Sequence, residues 1–149
     1  MKVKMLLEKD RGVFYTIEQD QTVEQGLKLM SAYTVSALVV VAQDSPKGIF
    51  TERDLVRCHI LFPDTHMSKI FIKDVMTSTL IVVEPEDTIN DAMGMMIKAK
   101  IRHLPVVSQG QIKGMLCLED LVKKHIGVLT QELHYLKDYI SDLQDAAHD

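Results

Sequence analysis

Gly48-Ile49-Phe50-Thr51-Glu52-Arg53-Asp54-Leu55 occurs twice in this chain, because Gly114-Met115-Leu116-Cys117-Leu118-Glu119-Asp120-Leu121 repeats its pattern 66 positions later. Each copy reads as a strand running into a helix. The glycine permits close backbone approach, the apolar pair fills a buried strand, and Thr51-x-x-Asp54 has the spacing of a capping box. An Asp is thereby held in the first turn of a helix, just beyond the C-terminal end of a strand. Such an Asp has two uses. It can reach back to cap the helix, or it can grip the hydroxyls of a ligand whose anionic group meets the free N–H donors and positive dipole end there.

Outward from this stretch, Thr22–Val56 aligns with Thr88–Val122 without a gap, with 11 identities in 35 positions. The apolar skeleton matches as well: Val23/Ile89, Leu27/Met93, Met30/Met96, Val35/Ile101, Leu38/Leu104, Val40/Val106 and Ile49/Met115. This is an internal duplication, and units of this size bury too little alone, so the two are expected to fold as a pair. Val3–Leu7 corresponds to Ile72–Met76, and three extra residues in the first copy predict a turn around Asp10-Arg11-Gly12. Val13–Ile17 reads as a strand, matched by Thr79–Val83. Thr22-x-x-Gln25 and Thr88-x-x-Asp91 open amphipathic helices. Ala37–Val41 and Leu104–Val107 are continuous apolar runs, as expected of strands buried on both faces. The turns Asp44-Ser45-Pro46-Lys47 and Ser108-Gln109-Gly110-Gln111 lead into the next strands, with helices from Glu52 and Leu118.

The resulting fold class is α/β: two strand-helix-strand-strand-helix repeats packed sheet-side together into one pseudo-symmetric disc, with clefts at the repeat interface and a C-terminal helix. The expected divisions are residues 1–60 for the first repeat, 61–71 for a linker that packs on the disc, 72–126 for the second repeat and 127–149 for the last helix. After Gly127, Leu129, Leu133, Leu136, Ile140 and Leu143 follow at spacings of 4, 3, 4 and 3, an a/d heptad seam. So short a helix is marginal alone and must bury its stripe in cis or against a second chain; the acidic outer positions favour the second, so a homodimer is expected.

Composition bounds the function. At 149 residues and 46% hydrophobic content, the chain supports one compact core. The net charge of −4 resides in residues 130–149, where five acids face Lys137 alone, so residues 1–129 are formally neutral. Without a basic stripe no nucleic-acid partner is expected. No apolar run approaches a membrane span and no signal peptide is evident, so no membrane partner is expected. Cys58 and Cys117 lack framework spacing and read as reduced thiols, which points to the cytoplasm. Cys58-His59 with His66 lacks ligand spacing, and no Ser, Thr or Cys has a base at motif spacing, so neither a metal nor catalysis is expected. The methionines on helical faces read as packing.

Three pieces carry a family resemblance: Asp74-Val75-Met76-Thr77, Ile101-Arg102-His103-Leu104-Pro105-Val106-Val107, and the Gly-apolar-apolar-Thr-x-x-Asp stretch. Over roughly residues 3–124 the chain resembles two tandem CBS domains, the regulatory pair found beside enzymes and transporters and as free-standing proteins. The resemblance implies a module without catalytic chemistry that needs no cofactor, binds an adenosine-containing ligand (AMP, ADP, ATP, NAD or S-adenosylmethionine), and signals to a protein partner whose identity is open. Carried over residue by residue, it implies a first site of Ile49, Thr51, Arg53 and Asp54, with Thr79 and Ile81 opposite and Arg102 and His103 for phosphate charge. Asp54 would take the ribose and Thr51 lie near the phosphate. A second, weaker site would use Thr16, Leu38, Met115, Cys117 and Asp120. Cys117 stands where the family usually has a hydroxyl, and Glu119 stands where the first copy has Arg53; both changes disfavour an anion. The rival reading is a ligand-free dimerisation scaffold.

Overall fold

The computed structural model describes residues 1–7 and 12–148; the turn expected at Asp10 and Arg11 lies outside the described residues. Its elements run α1 (Val3–Leu7), β1 (Thr16–Glu18), α2 (Val23–Tyr33), β2 (Ala37–Ala42), β3 (Ser45–Thr51), α3 (Glu52–Leu61), a 3-10 turn (Met67–Lys69), α4 (Ile72–Val75), α5 (Ile89–Ala99), β4 (His103–Ser108), β5 (Gln111–Cys117) and α6 (Leu118–His148).

The 66-residue duplication is reproduced in detail. Thr22 and Thr88 cap α2 and α5 by accepting from the backbone N–H three residues on, and in α2 Gln25 completes the reciprocal box. Both helices end on a left-handed residue, Thr34 at φ 53° and Lys100 at φ 57°. β2 pairs antiparallel with β3 and β4 with β5, each hairpin carrying a register shift, at Val40/Val41 and Val106/Val107. The connecting turns are tighter than the sequence suggests. They are two-residue turns at Gln43-Asp44 and Gln109-Gly110, all at positive φ, so that Ser45 and Pro46 already belong to β3. β1 lies parallel to β2, with Ile17 opposite Val40. In the second repeat the corresponding pairing shrinks to a single bridge, Val83 to Val106, and the strand expected at Thr79–Val83 does not form beyond it.

The lead-in segments are exchanged between the repeats. α4, which precedes the second repeat, sits in the core of the first: Ile70, Ile72 and Val75 pack with Ile17, Val23, Leu38, Val40, Phe50 and Cys58. α1 sits in the core of the second: Val3 and Leu6 pack with Val83, Ile89, Met96, Leu104, Leu116 and Leu121. Backbone bonds mirror this exchange. Val23 N–H donates to Ile70 O and Ile72 N–H to Gln21 O, while Val3 N–H donates to Asp87 O and Ile89 N–H to Met1 O. A third cluster, Val39, Val41 and Met115 with Phe14, Ile49 and Ile112, joins the two sheets. Neither core closes without residues from both halves, so the pair is one folding unit.

α6 departs from the expectation of a separate last helix. It runs without interruption from Leu118 through Gly127 to His148. Leu121 is fully buried, whereas every residue from Leu129 to Ala147 is exposed.

Candidate functional site

Two clefts open where the repeats meet. The first is a cavity of about 450 Å³ lined by Ser36, Ile49, Thr51, Glu52, Arg53, Thr77, Ile101, Arg102 and His103. β3 supplies Ile49 and ends on Thr51, the N-cap of α3, so Glu52 and Arg53 follow on the first helical turn. The left-handed cap at Lys100 turns the chain so that Ile101, Arg102 and His103 enter β4 along the opposite wall. Thr77 closes the base through paired backbone bonds with Ile49, each 2.9 Å.

That pairing needs Gly48. A Cβ there would stand 2.6 Å from Thr77 O and 2.9 Å from Met76 Sδ, and the first of these is backbone that cannot swing aside. Gly48→Ala is therefore expected to destabilise the protein by about 1–3 kcal/mol in urea unfolding. Gly94→Ala, inside α5 with nothing within 4 Å of the new methyl, is expected to stabilise it by up to about 1 kcal/mol. Equal effects at the two glycines would contradict the close approach at Thr77.

Of the residues expected in the first site, Ile49, Thr51, Arg53, Arg102 and His103 come together in this cleft. Asp54 does not line it. Its side chain is buried, at 2% exposure, and its carboxylate is engaged within the protein. Oδ2 accepts from Thr51 N–H at 3.0 Å, closing the capping box; Oδ1 accepts from Thr77 Oγ1 at 2.8 Å and from Arg57 Nη2 at 3.3 Å. Arg57, which sequence reasoning passed over, also donates to Val75 O and Met76 O at the end of α4. The group ties α3 to the exchanged segment, and its one signal in the sequence was an Arg three residues after the Asp, on the same helix face. Thr79 is exposed and Ile81 packs against the core of the second repeat, so neither reaches this cleft. Thr77 takes the place expected of Thr79.

The guanidinium groups are already in use. Arg53 Nη2 donates to Lys100 O at 2.7 Å, and Arg102 pairs with Glu119. Both bonds lie at exposed positions, where such contacts are weak and an anionic ligand can compete for them. His103 Nε2 lies 2.9 Å from Ser36 Oγ. Burial, reinforced by the charge of Arg102 and opposed by Glu52, holds the imidazole pKa below its ordinary value, so the ring is neutral at pH 7 and the positive charge of the cleft is carried by arginine.

The second cleft, a cavity of about 410 Å³, is lined among others by Val13, Tyr15, Ser36, Ala37, His103, Met115, Cys117, Glu119 and Asp120. Met115, Cys117 and Asp120 therefore stand where expected. Leu38 does not; it is fully buried in the first core, and Ala37 faces the cleft instead. Thr16 yields likewise to Tyr15, whose ring stacks on Tyr33 at 3.9 Å. Among the described residues no Lys or Arg lines this cavity, while Glu119 and Asp120 do. Burial and the Asp120 charge raise the Cys117 thiol pKa, so it stays protonated and its Sγ–H donates to Glu119 Oε2. Ser36 and His103 line both cavities and form the wall between them.

Comparison with known proteins agrees with this architecture. The CBS domain family model matches twice, over residues 11–60 and 72–131. The chain is 36% identical over 126 residues to the mitochondrial CBS domain-containing protein CBSX3 of Arabidopsis thaliana, covering 81% of this chain and 61% of that protein's length. Among solved structures, the CBS domain protein NE2398 superposes with a TM-score of 0.79 at 33% identity, covering 84% of this chain and 98% of its own. CBSX2, solved in complex with AMP, shares the fold at a TM-score of 0.68 and 21% identity, covering 85% of this chain and 97% of its own. With both repeats matched, their strand and helix order reproduced and the clefts set between them, the chain belongs to the CBS-domain family as a tandem pair.

Proposed function

We propose that this chain is a cytoplasmic regulatory module, without catalytic activity, that binds an adenosine-containing ligand between its repeats and passes the change in shape to a protein partner. The observation that carries this reading is the composition of the first cleft. Two permanently charged guanidiniums and three hydroxyl side chains share about 450 Å³ with the apolar faces of Ile49 and Ile101, which suits a phosphate at one end and a flat base at the other. The AMP complex of CBSX2 supports it by showing that the fold accommodates such a ligand. The two carboxylates among the described lining residues of the second cleft, Glu119 and Asp120, suit a neutral or cationic ligand such as S-adenosylmethionine over a phosphate. Among the described residues no helix is long and apolar enough to cross a membrane.

A scaffold whose clefts stay empty is the competing reading, favoured by the internal engagement of Asp54, Arg53 and Arg102. Thermal unfolding separates the two. AMP, ADP, ATP, NAD or S-adenosylmethionine at roughly 100 times its dissociation constant stabilises the folded state by about 2.7 kcal/mol, a rise of several degrees in Tm for a chain of this size. At least one of the five is expected to produce that rise. A Tm unmoved by all five at millimolar concentration leaves the scaffold.

A further inference from the structure

From Leu129 to Ala147 every residue of α6 is exposed, and this part of the helix has no partner among the described residues. The helix is 31 residues long, about 46 Å, and Leu118 and the buried Leu121 pack in the second core. Beyond that, Leu129, Leu133, Leu136, Ile140 and Leu143 are 49–57% exposed, forming one continuous leucine-rich stripe in water. We propose that this stripe is one half of a parallel, in-register two-stranded coiled coil formed with α6 of a second copy of this chain.

The register follows from the spacing. Leu133 and Ile140 take the a positions and Leu129, Leu136 and Leu143 the d positions; Val122, one heptad before Leu129 and itself 37% exposed, extends the d series toward the disc. Leucine at every d position of the tail with Ile140 at a fits two strands, whereas isoleucine at d would favour more. The flanking positions choose the orientation. Glu132 falls at g and Lys137 at the e position of the next heptad, the pair that meets across a parallel dimer. Lys137 is also the only cation besides histidine after Lys124, so one helix carries one such donor and the dimer places each opposite a Glu132. Asp138, Asp142 and Asp145 fall at c and f, facing water on either helix, and His134 reaches Asp138 on that outer face. The acidic charge of the tail is thus kept off the seam. A second copy satisfies the stripe, its length and its single Lys together.

Sedimentation equilibrium of the full chain is expected to show a dimer, and Leu136→Glu to weaken it roughly tenfold or more while the disc keeps its Tm. Lys137→Glu, which sets Glu132 against a like charge, is expected to weaken it several-fold, and the double variant Glu132→Lys/Lys137→Glu to restore it. Leu143→Cys, made with Cys117→Ser, is expected to form a disulfide-linked dimer on mild oxidation, because identical d positions face one another only in a parallel register. A monomeric intact chain, or a dimer that Leu136→Glu does not weaken, overturns the proposal. Failure of Leu143→Cys to cross-link overturns the parallel arrangement. None of these outcomes depends on nucleotide binding.

Discussion

Replacing Ile72 with alanine is expected to cost about 3 kcal/mol, lowering the Tm by roughly 10 °C, and to loosen the first repeat, not the second whose strands it precedes. Ile72 is fully buried, and its Cδ1 lies 3.0 Å from where a Cβ on Gly26 of α2 would stand, so truncation leaves a cavity walled by Val23, Phe50 and Ile17. The exchanged lead-in makes this effect specific. Native-state hydrogen exchange should show amides of β2 and β3 losing more protection than those of β4 and β5. Val3→Ala should do the reverse, through the second core. Loss of protection confined to β4 and β5 in Ile72→Ala would show that α4 belongs with the second repeat.

Asp54→Ala carries the second large effect. The carboxylate caps α3, accepts from Thr77 and neutralises Arg57. Loss of the cap costs about 1 kcal/mol, and loss of hydrogen bonds to a buried charge a further 1.5–3 kcal/mol, reduced because Arg57 is half exposed. A total of about 3 kcal/mol is expected in urea unfolding. Asp54→Asn retains the shape and the acceptor oxygen and should cost roughly a third as much. Since Asp54 lies behind Thr51 and Thr77 and not on the cleft wall, the Asn variant is expected to keep the thermal shift given by nucleotide. An Asn variant that folds but no longer responds to nucleotide would return Asp54 to the ribose.

The duplication made most of the fold legible before any coordinates. Capping threonines, apolar strands and the Gly-to-Asp stretch recur at a fixed offset because each repeat solves the same packing problem. The exchange of lead-ins was not legible, since Val3–Leu7 and Ile72–Met76 are apolar in the same places and fit either core. The faces of two strands were misread by one residue, Leu38 for Ala37 and Thr16 for Tyr15, and in a strand one residue is the difference between core and cleft. Asp54 illustrates another limit. A capping Asp and a ligand-gripping Asp have the same spacing, and only Arg57 and Thr77, one of them 23 positions away, decide where its oxygens point. The sequence pattern changes after Gly127, yet the roughly 1 kcal/mol that a glycine costs a helix interior is too little to break α6.

The central claim is that the cleft between the repeats binds an adenosine-containing ligand through Arg53 and Arg102, and calorimetric titration with AMP, ADP, ATP, NAD and S-adenosylmethionine in turn tests it most directly. The intact chain is expected to bind at least one of them. Arg53→Met/Arg102→Met, which removes only surface-exposed bonds to Lys100 O and Glu119, is expected to keep its fold and lose at least tenfold in affinity. No binding by the intact chain, or equal binding by the double variant, would contradict the account.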